Sequence, residues 1–88
     1  MRIEISRKFQ KQVNSCKDAR IRRRVFFVID AISKADSLKN IPHLKKLINS
    51  DRAFSIRISD YRIGIKQEIG YIIFAAFDHR SAIYKYFP

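Results

Sequence analysis

Acidic residues are scarce in this 88-residue chain, eight against nineteen lysines and arginines, and glycine and proline occur only twice each, cysteine once and tryptophan not at all. With only Gly64 and Gly70 available, no glycine-rich loop can cradle a phosphate. A lone Cys16 allows neither an intramolecular disulfide nor a multi-thiolate metal site, which suits a reducing compartment. Its helical spacing from Phe9 and Val13 makes it a small core residue. His43, His79 and the acids show no metal-ligand spacing, and no Ser/His/Asp set sits on a nucleophile elbow, so neither metal nor cofactor is expected. The longest apolar runs, VFFVI and YIIFAAF, are too short to span a bilayer, and the segment after Met1 is charged rather than signal-like. The expectation is a cytoplasmic protein with no membrane partner.

What is present is positive charge. A formal +11 on one domain of residues 1–88 costs self-repulsion in the folded state, so a polyanionic partner, nucleic acid or acidic protein, is the natural reading. A basic surface that merely keeps the protein soluble is the plainer alternative.

Residues 2–5 alternate as RIEI, a short strand, and Ser6 stands where a helix N-cap is useful. A helix to about Cys16 follows, presenting Phe9, Val13 and Cys16 on one face. Lys17 and Asp18 make the turn, Asp18 as N-cap, into a longer helix to about Lys34. Its Ile21, Val25, Val28, Ile29 and Ile32 form one continuous stripe. Ala35–Asn40 reads as a loop, Ile41-Pro42 bars a helix through it, and HLKKLI is ambiguous. Three strand-like runs come next: Ala53–Ser59, Tyr61–Glu68 and Tyr71–Phe77. Ser59-Asp60 and Ile69-Gly70 supply the hairpin connections. Phe54, Ile56, Ile58, Tyr61, Ile63 and Ile65 should meet the helices, which turns Ser55, Arg57, Ser59, Arg62, Gly64 and Lys66 to the other side. The third run is apolar on both faces, as a central strand is. Ser81–Phe87 forms a final short strand or tail. The expected fold is α+β: a small twisted antiparallel sheet with an N-terminal helical hairpin on one face and an open, basic, polar face opposite.

Arg57, Arg62 and Arg80 are the first candidates for chemistry. A guanidinium keeps its charge at physiological pH and offers a planar fork of donors, so it can hold a phosphodiester and stabilise the charge of a pentacoordinate transition state. The alternative is pairing with Asp51, Asp60 or Asp78. Tyr84 and His79 are the second set, because a phenol or imidazole beside guanidiniums can move a proton during attack of a ribose hydroxyl on the adjacent phosphate. Alternatively, the YKYF tail only covers the end of a core and His79 hydrogen-bonds in a turn. His43, beside a proline in a basic loop, reads as a solvated loop residue. Arg20, Arg22, Arg23 and Arg24 oppose the macrodipole at the start of the second helix, so they serve either phosphate contacts or a solvated face. Lys45, Lys46, Ser55 and Lys66 complete the candidate RNA-binding set.

The stretch LKKLINSDRAFSIRISDYRIGIKQEIGYIIFAAFDHRSAIY resembles the RelE/ParE superfamily of bacterial type II toxins, most specifically in IRISDYRIGI and DHRSAIY. The element order matches over the whole chain. The resemblance implies a small antiparallel sheet with a helical hairpin. Its RelE branch implies cleavage of mRNA in the ribosomal A site by 2′-hydroxyl attack, with the ribosome helping to place the substrate. On that resemblance Arg57 stands at a strand lysine of the branch, Arg62 at the arginine of its Tyr-Arg step, and Arg80 and Tyr84 at the arginine and tyrosine of its terminal motif. Ser55 replaces a second strand lysine, and His79 stands where some members carry a basic residue. The implied partners are a cognate antitoxin protein, the ribosome and mRNA, with DNA reached only through the antitoxin complex. Two other readings differ in kind: a ParE-like inhibitor that binds DNA gyrase without chemistry of its own, and an inactive RNA-binding module on the same scaffold.

Overall fold

A computed structural model describes residues 1–88. The elements are β1 (Arg2–Ile5), α1 (Arg7–Ser15), α2 (Ala19–Lys34), β2 (Leu44–Lys46), β3 (Ala53–Ile58), β4 (Tyr61–Glu68) and β5 (Tyr71–His79), with 3-10 turns at Leu38–Asn40 and Ile83–Lys85. Both helices begin where an oxygen-bearing side chain can satisfy their free amides. Ser6 Oγ accepts from the Phe9 N–H at 3.1 Å, and Asp18 Oδ1 accepts from the Arg20 and Ile21 N–H groups at 2.9 and 3.4 Å.

The sheet order is β1-β5-β4-β3-β2. β2 to β5 form an antiparallel meander, but β1 lies parallel to β5, Arg2 opposite Tyr71 and Ile5 opposite Phe74. The sheet is therefore mixed, where a wholly antiparallel one was expected. Alternation marks β1 as a strand but carries no information about the direction of its partner. The ambiguous HLKKLI supplies an edge strand, and β5 runs two residues past the expected Phe77.

One face of the sheet carries the main core. Phe9, Val13 and Cys16 of α1 and its cap, Ile21, Val25 and Ile32 of α2, and Ile56, Ile58, Ile63, Ile65, Ile72, Phe74 and Phe77 of the sheet are buried together. The Phe9 ring meets Phe74 and Phe77 edge-on at centroid distances of 5.4 and 6.4 Å, a favoured aromatic geometry. Phe74 and Phe77 are three residues apart, so strict alternation would send them to opposite faces. A register shift opposite Gly64 and Ile65 brings both to the helices.

The opposite face is not simply open. The tail forms a 3-10 turn rather than a strand, and it seats Ile83 and Phe87 on Ala53 and Ala76 as a second small core. Burying two such side chains contributes roughly 2 kcal/mol each. That second core explains why β5 is apolar on both sides. Gly64 makes room for it: a Cβ there would stand 2.7 to 2.9 Å from the Phe87 ring. No helix is long and apolar enough to cross a membrane.

Candidate functional site

The β3–β4 hairpin builds the site. Its two-residue connection, Ser59-Asp60, places Ile58 opposite Tyr61 and so brings Arg57 directly opposite Arg62. Ser59 adopts a φ of 54°, the left-handed conformation that two-residue hairpins require and that glycine usually supplies. Like charges directly opposed weaken a strand pair, and no carboxylate lies within salt-bridge distance of either arginine: the four ion pairs are Arg2–Glu4, Lys34–Asp30, Arg52–Glu68 and Arg80–Asp60. The Arg62 guanidinium is instead fixed through Nη1, which donates to the Ser59 and Tyr61 carbonyls at 3.0 and 2.9 Å. Its position is thereby set without neutralising its charge.

These two arginines line a cleft of about 400 Å³ with His43, Lys45, Ser55 and Tyr84. Lys45 enters from β2, opposite Ser55 in the register. Tyr84 comes from the tail, its hydroxyl donating to Ser55 Oγ at 3.0 Å while the residue stays 48% exposed. Ser55 itself is 3% exposed, so it serves as the buried anchor of Tyr84 rather than as a surface contact for a ligand. The result is a concave, acid-free surface with a fixed phenol at its rim. It can hold a phosphodiester by charge-assisted hydrogen bonds.

The other candidates are divided. His79 pairs with Tyr61 across β4 and β5, on the helix-covered face, and its Nδ1 accepts from the Ser81 N–H at 3.1 Å. It holds a turn and does not line the cleft. Arg80, exposed, stands 3.9 Å from Asp60, also outside it. Lys46 lies opposite Phe54, on the helix side of β2, and Lys66 shares the face of Arg62 without lining the cleft. Arg22 donates to the Cys16 carbonyl and so caps α1. Arg20 and Arg23 are exposed, and Arg24 lines a separate apolar groove of about 270 Å³ between α2 and β3. His43, read from the sequence as a solvated loop residue, lines both the groove and the cleft. Nothing in its neighbours along the chain signals this, because β2 pairing brings it to Arg57.

Two phenols outside the cleft hold their protons more tightly than usual. Tyr61 is raised by the adjacent Cys16 sulfur and then by burial, and Tyr86 by burial and by its hydrogen bond to Asp78, against the opposing effect of Gln12. No group of three His, Cys, Asp or Glu side chains is placed to hold a metal ion.

No family model matches the sequence. It is 36% identical over 69 residues to Toxin RelE3 of Methanocaldococcus jannaschii, a span of 77% of this chain and 78% of that toxin. A RelB-RelE antitoxin-toxin complex from Methanococcus jannaschii contains a chain that superposes with a TM-score of 0.82 at 31% identity, covering 96% of this chain and 98% of that one. The RelBE2 toxin-antitoxin complex of Mycobacterium tuberculosis shares the fold, with a TM-score of 0.58 at 16% identity over 90% of this chain and 96% of that one. With 36% of the aligned residues identical across most of both sequences, the chain belongs to the RelE family of toxins.

Proposed function

We propose that this toxin is a ribosome-dependent endoribonuclease that inhibits translation by cutting mRNA, and that a cognate antitoxin protein restrains it. The observation that carries the reading is the acid-free cleft in which Arg57 and Arg62 oppose each other beneath Tyr84. A like-charged cross-strand pair lowers fold stability; Asp78 stands opposite Arg62 on the other side but makes no ion pair with it, and a ligand that brings negative charge would complement both arginines. In the reaction, the ribose 2′-oxygen bonds to phosphorus, the bond from phosphorus to the 5′-oxygen breaks, and the products are a 2′,3′-cyclic phosphate and a 5′-hydroxyl. The two guanidiniums stabilise the extra negative charge on the phosphoryl oxygens, with no metal ion needed for that role. The ribosome orients the mRNA over so shallow a cleft. The two solved structures named above are toxin-antitoxin complexes, which supports an antitoxin partner here; on this reading DNA is contacted only through that partner.

The test is to add purified protein to a translating extract and, separately, to a gyrase supercoiling reaction. Expected are translation arrest and new mRNA ends carrying cyclic phosphate, with supercoiling unaffected. Inhibited supercoiling with intact mRNA would instead establish binding-type gyrase inhibition. Co-expression with the product of the neighbouring gene, followed by size exclusion, tests the antitoxin.

A further inference from the structure

The cleft contains two arginines that cannot accept a proton and a phenol already donating to Ser55. Its imidazole is different. His43 is exposed, with φ at 62°, a left-handed conformation disfavoured for any side chain bearing a Cβ. The residue is held there because its carbonyl accepts the Arg57 N–H at 3.2 Å, one bond beyond the β2–β3 ladder. That bond places the ring Nδ1 3.5 Å from Arg57 Nη2. A guanidinium can only donate, so in the tautomer that carries its proton on Nε2 the Nδ1 lone pair can face Arg57. The groups around the ring are Lys45 from β2, Arg57 from β3, Arg62 from β4, Tyr84 from the tail and, across the apolar groove, Arg24 from α2. No carboxylate lines either depression.

We infer that His43 is the proton acceptor of the cleft, an inference that rests on the nuclease reading. A phosphodiester drawn to Arg57 brings its neighbouring 2′-hydroxyl to the side on which the Nδ1 lone pair lies. As the guanidinium turns to the phosphate, Nδ1 is released to take the 2′ proton while the 2′-oxygen bonds to phosphorus. The bond to the 5′-oxygen breaks, that oxygen takes a proton from solvent water, and the imidazolium returns its proton to solvent. An imidazole can both take up and give back a proton, which suits it to this exchange.

The positive φ makes His43→Gly the informative variant, since glycine accepts that backbone without strain. The experiment follows mRNA cleavage in a translating extract by wild type and His43→Gly across neutral pH, with and without added imidazole, and measures ribosome binding in parallel. Expected is a rate loss on the order of a hundredfold with ribosome binding retained, partial recovery on adding imidazole, and a recovered rate that follows the pH-dependent fraction of free imidazole base. Cleavage by the variant at the wild-type rate would overturn the inference. So would an impaired variant that imidazole does not restore, which would leave His43 a positioning residue for Arg57. A wild type that cuts no mRNA would overturn the nuclease reading and the proton-transfer role with it, an outcome distinct from both.

Discussion

The Tyr84 hydroxyl and Ser55 Oγ, 3.0 Å apart, are each other's hydrogen-bond partners across 29 residues of chain, and they are not equivalent. Ser55 is buried and has no second partner, whereas Tyr84 is half exposed and can turn to water. Removing the phenol therefore orphans a buried hydroxyl. Removing the serine hydroxyl orphans nothing.

Tyr84→Phe is accordingly expected to destabilise the protein by about 1–3 kcal/mol and Ser55→Ala by about 1 kcal/mol or less. Urea unfolding of both variants and of the double variant measures the difference. Equal costs would mean that the buried hydroxyl finds another partner.

Arg62→Ala is expected to relieve growth arrest on expression while the protein stays folded. Its guanidinium lies outside both cores, and loss of one charge-stabilising donor at a reacting phosphate slows cleavage on the order of 10²- to 10³-fold. Circular dichroism and a translation assay on the purified variant check both parts. A folded, fully toxic Arg62→Ala would remove the cleft from consideration.

Binding to single-stranded RNA is expected to weaken steeply with salt, each phosphate contact contributing about 0.7 to the log–log slope. Arg57→Ala should lower that slope by roughly one contact. Arg23→Ala distinguishes the two readings of the α2 arginines: an unchanged slope marks a solvated face, and a lowered one extends the RNA track onto the helix. Binding titrations between about 50 and 200 mM salt give the slopes.

Gly64→Ala is expected to unseat the tail. The added Cβ would overlap the Phe87 ring, and overpacking of this kind costs roughly 1–3 kcal/mol. Trimming the ring with Phe87→Leu in the same chain should recover part of the loss, which thermal unfolding of the single and double variants measures.

Above pH ~10 the folded state is expected to lose stability through Tyr86. Its phenol holds the proton more tightly in the fold than in the unfolded chain, so the contribution is complete below the unfolded value near 10 and fades as pH rises through the higher folded one. Tyr86→Phe, which keeps the ring beneath Lys8, should flatten the alkaline fall of the urea midpoint.

The elements legible in the sequence were those written in local chemistry. Ser6 and Asp18 announced their helices, and the alternation of Phe54 to Ile58 and Tyr61 to Ile65 assigned those residues to the helix face. It also placed Arg57 and Arg62 together on the opposite face. What was not legible depended on contacts distant along the chain. The parallel pairing of β1, the seat of Phe87 on Gly64 and the arrival of His43 at Arg57 leave no local periodicity. Nor does adjacency to Arg80 show that His79 lies with Tyr61 on the helix side of the sheet, away from the cleft.

The parallel pairing of Arg2–Ile5 with Tyr71–Phe74 bears on how the toxin is made. Synthesis runs from the N-terminus, and β1 and α1 dock on β5, the last strand to leave the ribosome. Until that strand emerges β1 has no strand to pair with, and the segment carrying Tyr84 follows later still. A product of interrupted translation that stops before β5 also lacks Tyr84 and the second core, so its cleft is incomplete.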